Sequence, residues 1–117
     1  MRNIREVQSQ MVQTPEYWRI PFMEFVDDFR KFKDIRLIEQ PFQCEHERFD
    51  ALLASTIESL CAELGIETPN WVWEVPSCKY PWFVSGIESL KAITIVESPV
   101  YFRRRKIFVL ENFLERA

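Results

Sequence analysis

Residues 49–65, FDALLASTIESLCAELG, decide the fold. Phe49, Leu52, Leu53, Thr56, Ile57, Leu60, Cys61 and Leu64 recur at steps of three and four, the period at which side chains stack along one face of an α-helix. Glu45, Glu47 and Asp50 fall near the first turn, where the positive end of the helix dipole favours carboxylates. Gly65 stands where a left-handed residue closes a helix. A face this long and apolar calls for other helices to cover it.

Upstream, Phe22, Phe25, Val26, Phe29 and Phe32 recur at the same steps opposite Glu24, Asp27, Asp28, Arg30 and Lys31, a second amphipathic helix with a Phe ridge. Thr14-Pro15 and Ile20-Pro21 are candidate starts for it, since Pro at a first helical position has no N–H to leave unpaired and Thr14 can cap. Ile4, Val7, Met11 and Val12 have near-helical spacing, so residues 1–13 read either as a short amphipathic helix or as a loosely held arm. Asp34 to Gln43, with Pro41, reads as a surface connection that turns Leu37, Ile38 and Phe42 inward.

Downstream, Pro69, Pro76 and Pro81 interrupt Trp71, Trp73, Tyr80 and Trp82, which forbids a long helix or a central strand at 66–84. Ser85-Gly86-Ile87-Glu88 matches a capping box ahead of Leu90, Ile93 and Ile95 and predicts a helix from about Gly86 to Val96. Ser98-Pro99 repeats the cap-plus-proline start for a short basic helix. Lys106 to Val109 reads as extended, and Glu111 to Arg116 as a closing helical turn. The expected architecture is all-α: one compact domain over 1–117, a bundle of about five helices with a proline- and aromatic-rich connection at 66–84.

Composition agrees. Ten Phe and four Trp against two Gly supply large rings for a core and few positions for tight hairpins. The net charge of −3 and pI near 5.2 exclude a protein that coats nucleic acid or anionic lipid with its whole surface, so any such contact must be local. No apolar run approaches the roughly 18–20 residues of a membrane span, and the N-terminus has no signal-peptide core. Three widely spaced cysteines, Cys44, Cys61 and Cys78, form no disulfide framework and fit a reducing compartment, so a cytoplasmic protein is expected.

Catalytic chemistry has little to work with. His46 is the only histidine, and although Cys44, Cys61 and Cys78 complete four soft ligands on paper, only one pair has zinc-site spacing; no metal or cofactor is expected. No strained nucleophile turn accompanies any Ser or Cys, and no Gly-rich loop cradles a phosphate. Glu24, Asp27, Asp28, Glu45, Glu47, Asp50, Glu58 and Glu63 read mostly as solvating groups on outward helix faces.

Two features remain. Arg103, Arg104, Arg105 and Lys106, beside Tyr101, are either a phosphate-contacting patch or the internal partners of the acidic stretch from Glu39 to Glu67, whose seven carboxylates face Arg48 as the only cation within it. Trp71, Trp73, Tyr80 and Trp82 are either a lid completing the core or an aromatic surface for a protein partner.

Pro69 and Trp71, then Pro81-Trp82-Phe83, Leu90, Glu97-Ser98-Pro99, Phe102-Arg103-Arg104-Arg105, Ile107-Phe108-Val109 and Leu114 before Arg116-Ala117, resemble the signature of a bacterial family of short, largely uncharacterised helical proteins. The resemblance covers about the last half of the chain and more loosely the helix before it. Members of that family occur alone or behind a helix-turn-helix segment, often encoded beside a predicted nucleotidyltransferase in toxin–antitoxin-like arrangements. Residues 1–33 are too short and too Phe-rich to read as a complete helix-turn-helix domain. The resemblance implies no catalytic residue. The expected function is a non-enzymatic protein-interaction module, the small or antitoxin-like partner in a two-gene toxin–antitoxin or defence-type system, with a nucleotidyltransferase-like protein as partner. The alternative is a nucleic-acid-binding or regulatory accessory using residues 103–106. An exposed Phe or Trp ridge would favour a homodimer.

Overall fold

A computed structural model describes residues 1–115. The longest helix, α4 (Glu47–Leu64), lies at the centre and is buried on nearly every side between Phe49 and Glu58. Three helices precede it, α1 (Ile4–Gln13), α2 (Arg19–Phe32) and the short α3 (Arg36–Glu39), and two follow, α5 (Lys91–Glu97) and α6 (Val100–Arg103). The fold is mostly α, with six helices and one small sheet among the described residues.

Residues 1–13 form the helix reading, not a loose arm. Asn3 Oδ1 accepts from Glu6 N at 3.0 Å while Glu6 Oε1 accepts from Asn3 N at 3.2 Å, a reciprocal cap that satisfies two donors at the start of α1. Ile4, Val7 and Met11 then point into the core. The α2 ridge is buried at Phe22, Phe25, Val26 and Phe29, but Phe32, expected on the same ridge, is half exposed beneath the Lys31 ammonium. Its helix ends one residue later at Lys33, which takes a left-handed φ of 51°. The connection after it turns Leu37, Ile38 and Phe42 inward as expected, with α3 as its one turn of helix.

Gly65 closes α4 at φ 70°, and Ile66 N donates back to Cys61 O at 2.9 Å. A 3₁₀ turn at Asn70–Glu74 follows, and Trp71 Nε1 donates to Ile38 O at 2.9 Å, which ties this segment to α3. The prolines leave room only for a two-residue strand, β1 (Trp82–Phe83), parallel to β2 (Ile107–Phe108) with Trp82 opposite Ile107.

Several expected boundaries moved. The capping box at Ser85 does not form: Gly86 has φ 68°, Ser85 Oγ accepts from Ile87 N instead, and a 3₁₀ turn at Glu88–Leu90 delays α5 to Lys91. Thr14 and Ser98 do not cap with their side chains either; Thr14 Oγ1 donates backward to Gln10 O, and Ser98 Oγ is drawn into the interior. Glu111 to Glu115 form turns without a helix, and Arg116 and Ala117 lie outside the described residues. One contiguous core joins α1, α2 and α4 to Phe102, Ile107, Val109 and Leu114 of the C-terminal segment.

Candidate functional site

The basic run straddles a turn. Arg103 ends α6, and Lys106 takes a left-handed φ of 62° that swings the chain into β2. This conformation disfavours a residue with a Cβ, so the turn is held by its surroundings rather than by local preference. Cys78 N donates to Arg105 O at 3.0 Å and Trp82 N to Lys106 O at 2.8 Å, which seat the turn against residues 78–82.

The four cations consequently point different ways. Arg105 is turned inward and 6% exposed; Nη1 donates to Glu58 Oε2 and to Ser55 Oγ, Nη2 to Val72 O at 2.8 Å and Nε to Val75 O at 3.3 Å. Arg104 donates Nη2 to the other oxygen of Glu58 and lays its guanidinium over Trp73 at 5.5 Å from the ring centre, with half of its side chain exposed. Arg103 hooks back onto Ser98 O through Nε and Nη2 at 3.2 and 2.8 Å. Lys106 Nζ lies 3.5 Å from Lys79 O.

Glu58, a member of the acidic stretch from Glu39 to Glu67, is 1% exposed, one carboxylate shared by two guanidiniums. Ser55, buried one turn before it on α4, accepts from the same Arg105 Nη1. Of the two readings of the run, the internal ion pair holds for Arg105; its charge does not reach the surface. Tyr101 packs partly buried against the core.

The aromatic segment divides as well. Trp71 packs edge-on to Phe42 at 5.2 Å, and Trp82 lies among Trp18 and Phe49 with Arg48 over its face, so these two complete the core. Trp73 and Tyr80 face outward, 54% and 69% exposed, each with a cation of its own chain over the ring. They are the outward half of the expected aromatic surface.

His46 has a structural task. Its Nδ1 accepts from Phe49 N at 3.2 Å, capping α4, and its ring stacks on Phe49 at 4.0 Å. Asp50, one of the carboxylates read mostly as solvating groups, is buried; Oδ1 accepts from Gln8 Nε2 at 2.7 Å, and Oδ2 from Glu45 N and His46 N. Cys44 is exposed while Cys61 and Cys78 are buried, and burial pushes both buried thiols up from their ordinary range. Among the described residues no three or more His, Cys, Asp or Glu side chains are placed to hold a metal. No helix among them is long and apolar enough to cross a membrane.

The surface that sequence reasoning missed is α5. Thr94 is its only buried residue, whereas Ile93, Ile95 and Val96 are 44, 48 and 77% exposed, with Ile87 and Val100 open beyond either end. The run Ile93-Thr94-Ile95-Val96 already carried the signal: consecutive positions on a helix are about 100° apart, so these residues cannot share one buried face. Thr94 is held inside by a hydrogen bond to Lys91 O, and its own carbonyl accepts from Ser98 Oγ, which in turn accepts from Val109 N. That chain of bonds fixes which face of α5 points outward.

No family model, curated protein or solved structure matches the chain.

Proposed function

We propose that this chain is a non-enzymatic protein-interaction module of the bacterial cytoplasm, the small, antitoxin-like partner of a two-gene system, and that it docks through α5. The observation that carries the reading is the inverted helix: a threonine buried, and three β-branched aliphatic residues in water. Isolated exposed aliphatic side chains are ordinary, but Ile93 and Val96 lie one turn apart on the same side of an ordered helix, and adjacent exposed aliphatic residues are the pattern of a contact surface. The resemblance of the C-terminal signature supplies the class of partner, a nucleotidyltransferase-like protein encoded next to this one. Outward-facing Trp73 and Tyr80, with Arg104, offer residue types that anchor protein contacts.

The test is co-expression with the product of the adjacent gene, followed by affinity capture of wild type and of Val96→Asp. Wild type is expected to retain that product and alter its activity, and Val96→Asp to lose it at unchanged melting temperature. Failure of the wild type to co-purify with or affect that product, or equal capture by both forms, overturns the proposal.

A further inference from the structure

The α5 surface has an electrostatic flank. Glu97 lies one turn after Ile93 and next to Val96, and its Oε1 accepts from Glu111 N at 3.2 Å, which draws the turn at 110–115 alongside the helix. Between them runs an open groove of about 470 Å³ lined by Glu97, Leu110, Glu111, Asn112 and Glu115. Among the described residues none of these three carboxylates forms an ion pair; Lys91 is paired with Glu88, and Arg30, paired with Glu63 and donating to Leu114 O, lies on the far side of the turn and interacts electrostatically with Glu115 alone of the three. Arg103, the cation of the basic run nearest to Glu97 in sequence, is hooked onto Ser98 O, and Lys106, the one nearest to Glu111, reaches Lys79 O.

We infer that the occupant of this face is a basic amphipathic segment of another protein, its apolar side on Ile93 and Val96 and its Lys or Arg side chains reaching Glu97, Glu111 and Glu115. The inference rests on the proposed docking role of α5 and adds the chemistry of the partner. Charge at the rim of an apolar contact selects partners more than it tightens them. A second copy of the chain fits poorly, because an isologous contact sets the same patch against itself and so brings acidic groove toward acidic groove. Anionic lipid and nucleic acid are repelled for the same reason.

The test uses three labelled synthetic helices with one identical leucine face and flanks of Lys, Gln or Glu, titrated with the full chain at low salt and read by fluorescence anisotropy. The Lys-flanked peptide is expected to bind about tenfold tighter than the Glu-flanked one, with the preference erased by high salt. Glu111→Lys with Glu115→Lys is expected to reverse the order, and Val96→Asp to abolish binding of all three. Equal binding of the three peptides overturns this inference and leaves α5 as a docking face without charge selection. No binding of any, with the adjacent gene product still captured through Val96, likewise overturns this inference alone. A concentration-dependent dimer that Val96→Asp dissociates assigns the face to a second copy and overturns both proposals.

Discussion

The Arg105 guanidinium and the Glu58 carboxylate, 47 residues apart in sequence, meet inside the protein as an ion pair that joins the turn after α6 to the central helix. Arg105 also donates to two carbonyls of the 70–75 segment, so three parts of the chain converge on one side chain. Removing Arg105 leaves the buried Glu58 carboxylate with the half-exposed Arg104 as its one cation and takes the donor from the carbonyls of Val72 and Val75. Arg105→Ala is therefore expected to destabilise the fold by about 3–5 kcal/mol in urea unfolding. If that variant does not fold, the paired replacement Arg105→Met with Glu58→Met, which strands no full charge between these two, is expected to recover a folded chain. Arg104→Ala, at a half-exposed site, is expected to cost about 1 kcal/mol or less.

Asp50 ties α1 to the start of α4 through one donor from Gln8 and two backbone donors. An Asn amide has one oxygen and presents N–H groups where a second acceptor is needed. Asp50→Asn is expected to cost about 1–3 kcal/mol in chemical unfolding. Gln8→Ala is expected to cost less, because the backbone donors keep their acceptor.

His46 acts as a helix cap. His46→Ala is expected to lower stability by about 1 kcal/mol and His46→Asn to restore most of it, because Asn offers an oxygen to the same N–H. An equal loss in both variants would assign the effect to the lost stacking on Phe49 instead.

The thiols differ in exposure. In the native protein one of the three is expected to react with a thiol reagent at neutral pH, Cys44, and the other two only on unfolding. Burial raises the folded ionisation of Cys61 and Cys78 above the ordinary thiol range. Their contribution to stability is therefore fully present below the unfolded value, about 8.5, and lost as pH rises through the folded one. Urea midpoints measured at increasing alkaline pH, compared between wild type and Cys61→Ala with Cys78→Ala, check the sign: the wild-type midpoint is expected to fall more steeply.

How far the sequence could be read depends on the range of the interaction that fixes each residue. The repeat from Phe49 to Leu64 and the ridge from Phe22 to Phe29 gave two helices correctly, because a side chain three or four positions on is already a neighbour. Phe32 broke the pattern where α2 ended. Helix starts were less legible: Thr14, Ser85 and Ser98 have the right chemistry for caps, but each hydroxyl found a different partner. The candidate surface was the least legible part. Ile93, Ile95 and Val96 look like core residues by type, and their exposure follows from Thr94 and Ser98 being bound inward.

By itself, then, the sequence determined a helical chain with a Phe-rich core, the long helix closed at Gly65, and a proline-broken segment unable to become a long strand or helix. These rest on backbone limits and local periodicity, which act within a few residues. Only the tertiary structure decided that Arg105 is internal while Arg104 stays half outside, that Trp71 and Trp82 complete the core while Trp73 and Tyr80 face water, and that Glu58 and Asp50 are buried. Four adjacent cations offer the same charge to any carboxylate within reach. Which of them finds Glu58 depends on how a single left-handed residue, Lys106, turns the chain against a helix nearly fifty residues away.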